Sequence, residues 1–486
     1  MREAASTDLC ALTASELSRA VAERVISPVE VVKAHLARIA EWNDTLRAFV
    51  FVDEEGAMQA ARVAETEISR EGPRTPLHGI PIGYKDVYDV AGMPTTAGSR
   101  LLRGNVPARD SAVASGLRAA GTIALGKLNT YEFATGGQEL FGEARNPWNL
   151  SFAAGGSSSG PAAALAGRLS PLAMGTDTGG SVRIPASFCG LVALRPTHGL
   201  IDRTGIVPLS RTLDEVGPMA RSVADCALLF ETIAGVKLGQ LERSLKGLRL
   251  GVPSSLWAAC EPDVERCMDG ALATLRELGA TVAEVRLDHG RYGLAATWSI
   301  SYSETFADHR ENLTTRGSDY TPMFFNKIMA AGTLTAEELD VAHRLSDTIA
   351  AEFAQALNTV DAIVLPATPF AAYPLGNQHL QADNGAFTRA VTCSGYPALA
   401  MPWGFNQAGL PLGMQLVGRP RDEACVFAIA QAYERATTWH RAVPTFAFSP
   451  ITASIAPIRN TLAEARSRDS RAFSNPRSPD ERAKRP

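Results

Sequence analysis

The sequence predicts an α/β fold, with a mixed, twisted β-sheet as its core and helices on both faces. Three observations lead there. From Leu77 onward, short β-rich runs alternate with helical ones. Helix starts carry explicit capping signals. A chain of 486 residues, 45% hydrophobic and 20% charged, has the length and balance to bury a large core.

Taken in order, Thr13-Ala14-Ser15-Glu16 opens a first helix with a capping box, and Ser27-Pro28-Val29-Glu30 opens a second. Val31, Val32, His35, Leu36 and Ile39 recur at helical spacing, which makes His35 a core or boundary residue. Residues 1–65 therefore read as a helical segment packed on the main body. Pro81 to Val90 and Gly121 to Leu125 read as strands, with a helix over Ala112 to Ala120. The apolar stretch Ala162 to Met174 is a buried helix and strand. Ser222 starts another helix, and Leu248 to Val252 is a strand. Pro262 to Leu278 is a helix closed by Gly279, and Thr281 to Leu287 is the strand after it. Asp288 to Thr335 shows no clear period and concentrates Tyr292, Trp298, Tyr302, Phe306, Tyr320, Phe324 and Phe325, as an irregular helical insertion walling a pocket would. Thr335 caps a helix to Leu357, so the insertion spans about 288–357. Asp361 to Ala367 is a strand and Ala424 to Ala436 a late helix. The main domain covers 66–460. Arg, Ser and Pro dominate 461–486, which should be a disordered basic tail.

Composition narrows the function classes. Lys+Arg 47 against Asp+Glu 51 gives a net charge of -4, so no general attraction to nucleic acid is expected. No apolar run reaches the roughly 20 residues of a membrane span. The seven cysteines form no CxxC pair, and their odd number offers no disulfide framework. With no signal peptide in evidence, the expected home is the reducing cytoplasm.

Chemistry concentrates between Gly155 and Arg195. Gly155-Gly156-Ser157-Ser158-Ser159-Gly160 and Gly175-Thr176-Asp177-Thr178-Gly179-Gly180-Ser181-Val182-Arg183 are two loops of glycine and hydroxyl residues. Such loops are costly to order unless special backbone geometry is needed. Tight turns are the plain alternative. No lysine follows either glycine run, which speaks against a phosphate-cradling loop. Gly156-Ser157-Ser158-Ser159-Gly160 satisfies G-x-S-x-G, but no downstream histidine sits in a convincing glycine-rich turn. A third option pairs serine with lysine. Lys85 lies in the apolar run Gly79-Ile80-Pro81-Ile82-Gly83-Tyr84-Lys85-Asp86-Val87, where burial would lower its pKa and yield a neutral amine able to accept a proton. A buried Lys85–Asp86 ion pair is the competing structural reading. No Ser-x-x-Lys occurs, so a β-lactamase arrangement is excluded.

These three stretches together resemble the amidase signature family of serine amidohydrolases. The two serines stand 24 positions apart, as in that family. The likeness runs through Cys189-Gly190-Leu191-Val192-Ala193-Leu194-Arg195-Pro196-Thr197 to Gly395-Tyr396-Pro397-Ala398-Leu399 and Gly409-Leu410-Pro411-Leu412-Gly413-Met414-Gln415, or roughly residues 10–445. The resemblance implies the amidase-signature fold, with Ser181 as nucleophile, Ser157 as the bridging serine after a cis Gly156–Ser157 bond, and Lys85 as base. It also implies an oxyanion hole from the N–H groups of Thr178, Gly179, Gly180 and Ser181. Asp177 and Arg183 would brace the loop, and Tyr131 and Gly156 would border the substrate. No metal or organic cofactor is called for. His78 and His198 are taken as structural.

The resemblance also frames the function. The first reading is a free-standing amidohydrolase that cleaves the carboxamide of a small organic acid through an acyl-serine. Its only partner would be the small-molecule amide, with no nucleic acid and no membrane, and a homodimer is the family-level expectation. The second reading is the glutaminase subunit of a tRNA-dependent amidotransferase, and an esterase or carbamate hydrolase is a third. Asn129 to Gly142 looks shorter than in the tRNA-linked subunits, which argues for the first. Ala154 and Pro161 also depart from the family pattern, changes that should adjust the loop without removing its chemistry. A catalytically dead binding protein is disfavoured by the intact set of Lys85, Ser157 and Ser181.

Overall fold

A computed structural model of the chain describes residues 8–444 apart from 257–259, 378–379 and 381–382. The basic tail at 461–486 lies outside the described residues. Helices α1 (Ala14–Ala22) and α2 (Pro28–Leu46) each begin with both halves of the capping box in place. Asp225 accepts the N–H groups of Ala14 and Ser15 at 2.9 Å, which clamps α1 onto the main body. His35 is buried, with Nδ1 2.9 Å from the Val31 carbonyl.

The N-terminal segment is not wholly helical. Strand β1 (Phe49–Val52) follows α2, and α3 (Glu54–Glu71) comes next. Four residues are too few to show a period, but Phe-Val-Phe-Val is strongly β-favouring. Strand β2 (Pro81–Lys85) is shorter than expected, because Val87 and Tyr88 turn back to donate to the Lys85 carbonyl. Helix α4 (Ala112–Ala120) and β3 (Ile123–Leu128) follow, then the small hairpin β4 (Arg145–Asn146) and β5 (Asn149–Ala153). The motif region builds α5 (Ser159–Ala166), β6 (Leu172–Asp177), α6 (Arg183–Cys189) and β7 (Val192–Arg195). Next come β8 (Glu215–Ala220), α7 (Val223–Ala234), β9 (Arg249–Val252), α8 (Pro262–Glu277) and β10 (Thr281–Glu284).

The expected irregular insertion is regular. It consists of α9 (Gly293–Thr315), α10 (Pro322–Ala331) and α11 (Ala336–Leu357). Its period is hidden because hydroxyl residues interrupt the buried stripe of α9, between Ala296, Ile300 and Leu313. Thr297, Ser301 and Thr305 are buried and return their hydroxyls to the carbonyls of Gly293, Thr297 and Ser301. The chain closes with β11 (Ala362–Pro366), α12 (Thr388–Ser394), β12 (Ala398–Phe405), β13 (Pro411–Val417) and α13 (Glu423–Ala436).

One sheet of eleven strands runs in the order β1-β3-β2-β6-β8-β7-β12-β13-β11-β9-β10. It is mixed: β3, β2 and β6 are parallel neighbours, as are β11, β9 and β10, while β6 to β13 pair antiparallel through the centre. The period of two along each strand divides the core into two faces. In β6, Leu172 and Met174 join one cluster while Ala173 joins the other, and in β7 Val192 and Leu194 oppose Ala193 in the same way. Helix α5 is buried along its whole length and packs against β2 and β6.

Candidate active site

Lys85 ends β2 and Thr176 lies near the end of β6, and these strands are parallel neighbours. Their carboxyl ends therefore sit side by side, where open α/β sheets place ligands. The Lys85 side chain is fully buried. Its Nζ lies 2.8 Å from Ser157 Oγ and 2.8 Å from Thr176 Oγ1. The competing Lys85–Asp86 pair does not form. Asp86 turns to Lys127 at 3.0 Å and to the Thr96 N–H, on the other side of the strand. Burial pushes the Lys85 amine down from 10.5 to about 7, against the opposing pull of the Asp214 and Asp177 carboxylates.

Each serine of the first loop has a separate contact. The Gly156–Ser157 peptide is cis, and the Ser157 carbonyl accepts the Thr130 hydroxyl at 3.2 Å. The Ser158 N–H donates to the Ser181 carbonyl at 3.1 Å, and its hydroxyl donates to the Thr176 carbonyl, so Ser158 ties the two loops together. Ser159 opens α5 and accepts Gln138 Nε2 at 2.8 Å. Gly156 must be glycine here because a Cβ would lie 2.2 Å from the Tyr131 ring.

Asp177 shapes the second loop. Its buried carboxylate accepts Gly180 N–H at 2.9 Å and Val182 N–H at 3.3 Å, and meets Arg183 at 2.9 Å and Arg195 at 3.3 Å. Burial alone would raise its pKa, but Arg183 and Arg195 reverse that and hold it well below the usual carboxylate range. Gly180 has φ +118°, and a Cβ there would lie 2.2 Å from Thr388 Oγ1. The expected set of oxyanion donors needs one correction. The Gly180 N–H is already spent on Asp177, whereas among the described residues no acceptor engages the N–H groups of Thr178, Gly179 or Ser181.

Ser181 is half-buried, and no hydrogen bond joins its hydroxyl to Ser157. Both serines line one cavity of ≈ 220 Å³, together with Tyr131, Gly156 and Gly179. The structure thus brings Lys85, Ser157, Ser181, Tyr131 and Gly156 to one place. Trp298 and Tyr302 line the same cavity, so the aromatic insertion does supply a pocket wall. None of the described histidines does so; His78 meets Glu67 at 3.0 Å and His198 meets Glu215 at 2.6 Å. Sequence reasoning misses two residues. Thr176 falls in the second glycine-rich stretch, whose first three residues prove to be the end of β6, and nothing local gives it a role. Arg389, also in the cavity wall, is signalled only as a lone cation in the apolar run from Ala386 to Pro397.

A family model described as Amidase matches residues 30–427. A glutamyl-tRNA(Gln) amidotransferase subunit from Chloroflexus aggregans is 38% identical, the match covering 91% of this chain and 99% of that protein. A solved amidase superposes with TM-score 0.82 at 31% identity, covering 87% of this chain and 99% of that one. The corresponding glutamyl-tRNA(Gln) amidotransferase subunit from Thermotoga maritima gives TM-score 0.76 at 29% identity, covering 88% of this chain and 96% of that one. These relatives overturn one expectation. A chain whose sole partner is a small molecule, with no link to nucleic acid, does not agree with full-length relatives named as subunits of an enzyme of glutamyl-tRNA(Gln). No helix among the described residues is long and apolar enough to cross a membrane. The fold, the paired serine loops and the matched family model agree: the chain belongs to the amidase family and is an enzyme of amide C–N bonds.

Proposed function

We propose that the chain hydrolyses a primary carboxamide through an acyl-Ser181 intermediate and releases ammonia, in the manner of the glutaminase subunit of a tRNA-dependent amidotransferase. The observation that carries the chemistry is the buried Lys85 amine placed 2.8 Å from Ser157 in the cavity that also holds the free Ser181 hydroxyl. A neutral amine has one lone pair and two N–H bonds. It donates one N–H to Thr176 and accepts the Ser157 proton, while Ser157 in turn accepts the proton of Ser181 as the substrate closes the serine–serine link. Ser181 attacks the amide carbon. The oxyanion then falls to the N–H groups of Thr178, Gly179 and Ser181, donors of a kind worth about 3–4 kcal/mol each. The proton returns along the same wire to the leaving nitrogen, ammonia departs, and water enters by the reverse path to free the acid.

The ammonia-donor role rests on the relatives, which reverse the order of the first two readings. The test is a pull-down of the tagged chain from its own cells, followed by an ammonia assay with glutamine. Recovery of a second protein in stoichiometric amount, together with glutamine-dependent ammonia, supports the role. Recovery of the chain alone, with no ammonia from glutamine, refutes it. The higher TM-score to the solved amidase than to the Thermotoga protein favours a second reading, hydrolysis of a different small carboxamide.

A further inference from the structure

The cavity beside Ser181 contains positive charge that the proposed chemistry does not use. Arg389 reaches it from α12, and Lys327 reaches it from α10. The Arg389 guanidinium lies directly against the oxyanion loop, since a Cβ on Gly179 would stand 2.6 Å from Nη1. It is held there by Thr297 Oγ1 at 3.1 Å and by the face of Trp298, 5.3 Å from the ring centroid. Both contacts fix the fork without neutralising it. Among the described residues no carboxylate pairs with Arg389, and its buried Nε has no hydrogen-bond partner. Lys327 donates only to the Thr135 carbonyl, at 3.1 Å, and likewise has no acidic partner among the described residues. No Asp or Glu is among the described residues lining this cavity. By contrast, two other buried cations meet a carboxylate, Arg183 at Asp177 and Lys127 at Asp86. An oriented, unpaired guanidinium is the group that binds a planar carboxylate through two parallel hydrogen bonds.

We propose that Arg389, assisted by Lys327, binds a carboxylate carried by the acyl part of the substrate, so that the enzyme takes monoamides of small dicarboxylic acids. The inference rests on the hydrolase reading, in which ammonia leaves and only the acyl part remains to carry the charge. The cavity of ≈ 220 Å³ limits that part to a short chain, below the roughly 300 Å³ at which larger ligand sites begin. With no acidic side chain described in the wall, an α-ammonium group gains nothing there, and glutamine should be no better than its deaminated analogue glutaramate.

The test compares succinamate and glutaramate with the neutral diamides succinamide and glutaramide, and with glutamine. The wild-type protein should prefer each monoamide over its diamide by roughly 100-fold in kcat/KM. Arg389→Gln should erase that preference, with KM for the monoamides rising roughly 100-fold more than KM for the diamides. Lys327→Met, which gives up the bond to the Thr135 carbonyl and leaves the oxyanion loop untouched, should cost the monoamides roughly tenfold more than the diamides. Calorimetry with glutarate, the product dianion, reads the subsite without turnover: binding by the wild-type protein and none by Arg389→Gln is expected. Equal use of diamides and monoamides, equal losses on both in Arg389→Gln, or failure of glutarate to bind the wild-type protein would each overturn the proposal. Failure of glutamine alone, with glutaramate turned over, would count against the amidotransferase role and leave the carboxylate subsite standing.

Discussion

Replacing Lys85 by methionine isolates the physical claim that this lysine is folded without its proton. In the unfolded chain the amine titrates near 10.5, and in the folded protein near 7. Between those values the unfolded state binds one more proton, so stability must rise with pH across the window. The penalty is complete below pH 7, where it amounts to about 5 kcal/mol for the gap between the two values, and it vanishes above pH 10.5. Methionine has nearly the same length and no proton, so Lys85→Met is free of this penalty. The difference in unfolding free energy between the variant and the wild-type protein should therefore shrink by roughly 2–3 kcal/mol from pH 6 to pH 9. Urea denaturation of both proteins across that range measures it, because the other titrating groups are common to both. Parallel stability profiles would refute the reasoning, since they would mean that Lys85 keeps its proton on folding.

The same value sets the kinetics: kcat/KM should fall tenfold per pH unit below about 7 and level off above it, as a pH–rate profile on a neutral amide would show. Ser157→Ala should lower kcat by roughly 10²–10⁴-fold with little change in KM, measured by ammonia release. Asp177→Asn leaves Arg183 and Arg195 buried against a neutral amide and should cost about 3–5 kcal/mol in urea denaturation. Glu132 accepts the Ser99 hydroxyl at 2.6 Å and the Thr321 N–H at 2.8 Å, linking the loop after Tyr131 to the start of α10. Glu132→Ala should accordingly raise KM several-fold while kcat holds, in steady-state assays with any accepted amide.

The legible parts of the chain are those where local chemistry and final structure agree. Thr13, Ser27 and Thr335 announce their helices because a cap is a local hydrogen bond, and all three capping boxes form. Lys85 is conspicuous because a charge inside Ile-Pro-Ile-Gly-Tyr-Lys has no solvent to reach. From the residues around it, without the family resemblance, its partner is not legible, because which face of β2 meets which neighbour depends on sheet order. Only the sheet shows Asp86 turning to Lys127 and away from Lys85. Gly180 reads as an oxyanion donor because nothing in a glycine run shows that Asp177, three residues earlier, will claim its N–H. Helix α9 is hidden because hydroxyls paired to their own backbone pack as apolar surface does while reading as polar. Arg389 stands more than 200 positions from Ser181, and no local pattern joins residues that meet only when α12 packs against the loop.

In the proposed mechanism Ser181 is a nucleophile activated through Ser157 by an uncharged Lys85. Its most direct test is the rate at which a fluorophosphonate labels the protein, followed over pH with peptide mass spectrometry to find the modified residue. One adduct is expected, on the peptide carrying Ser181, formed at a rate that climbs through about pH 7 and collapses in Lys85→Met. An adduct on another serine, or labelling of Ser181 at full speed without Lys85, would contradict it.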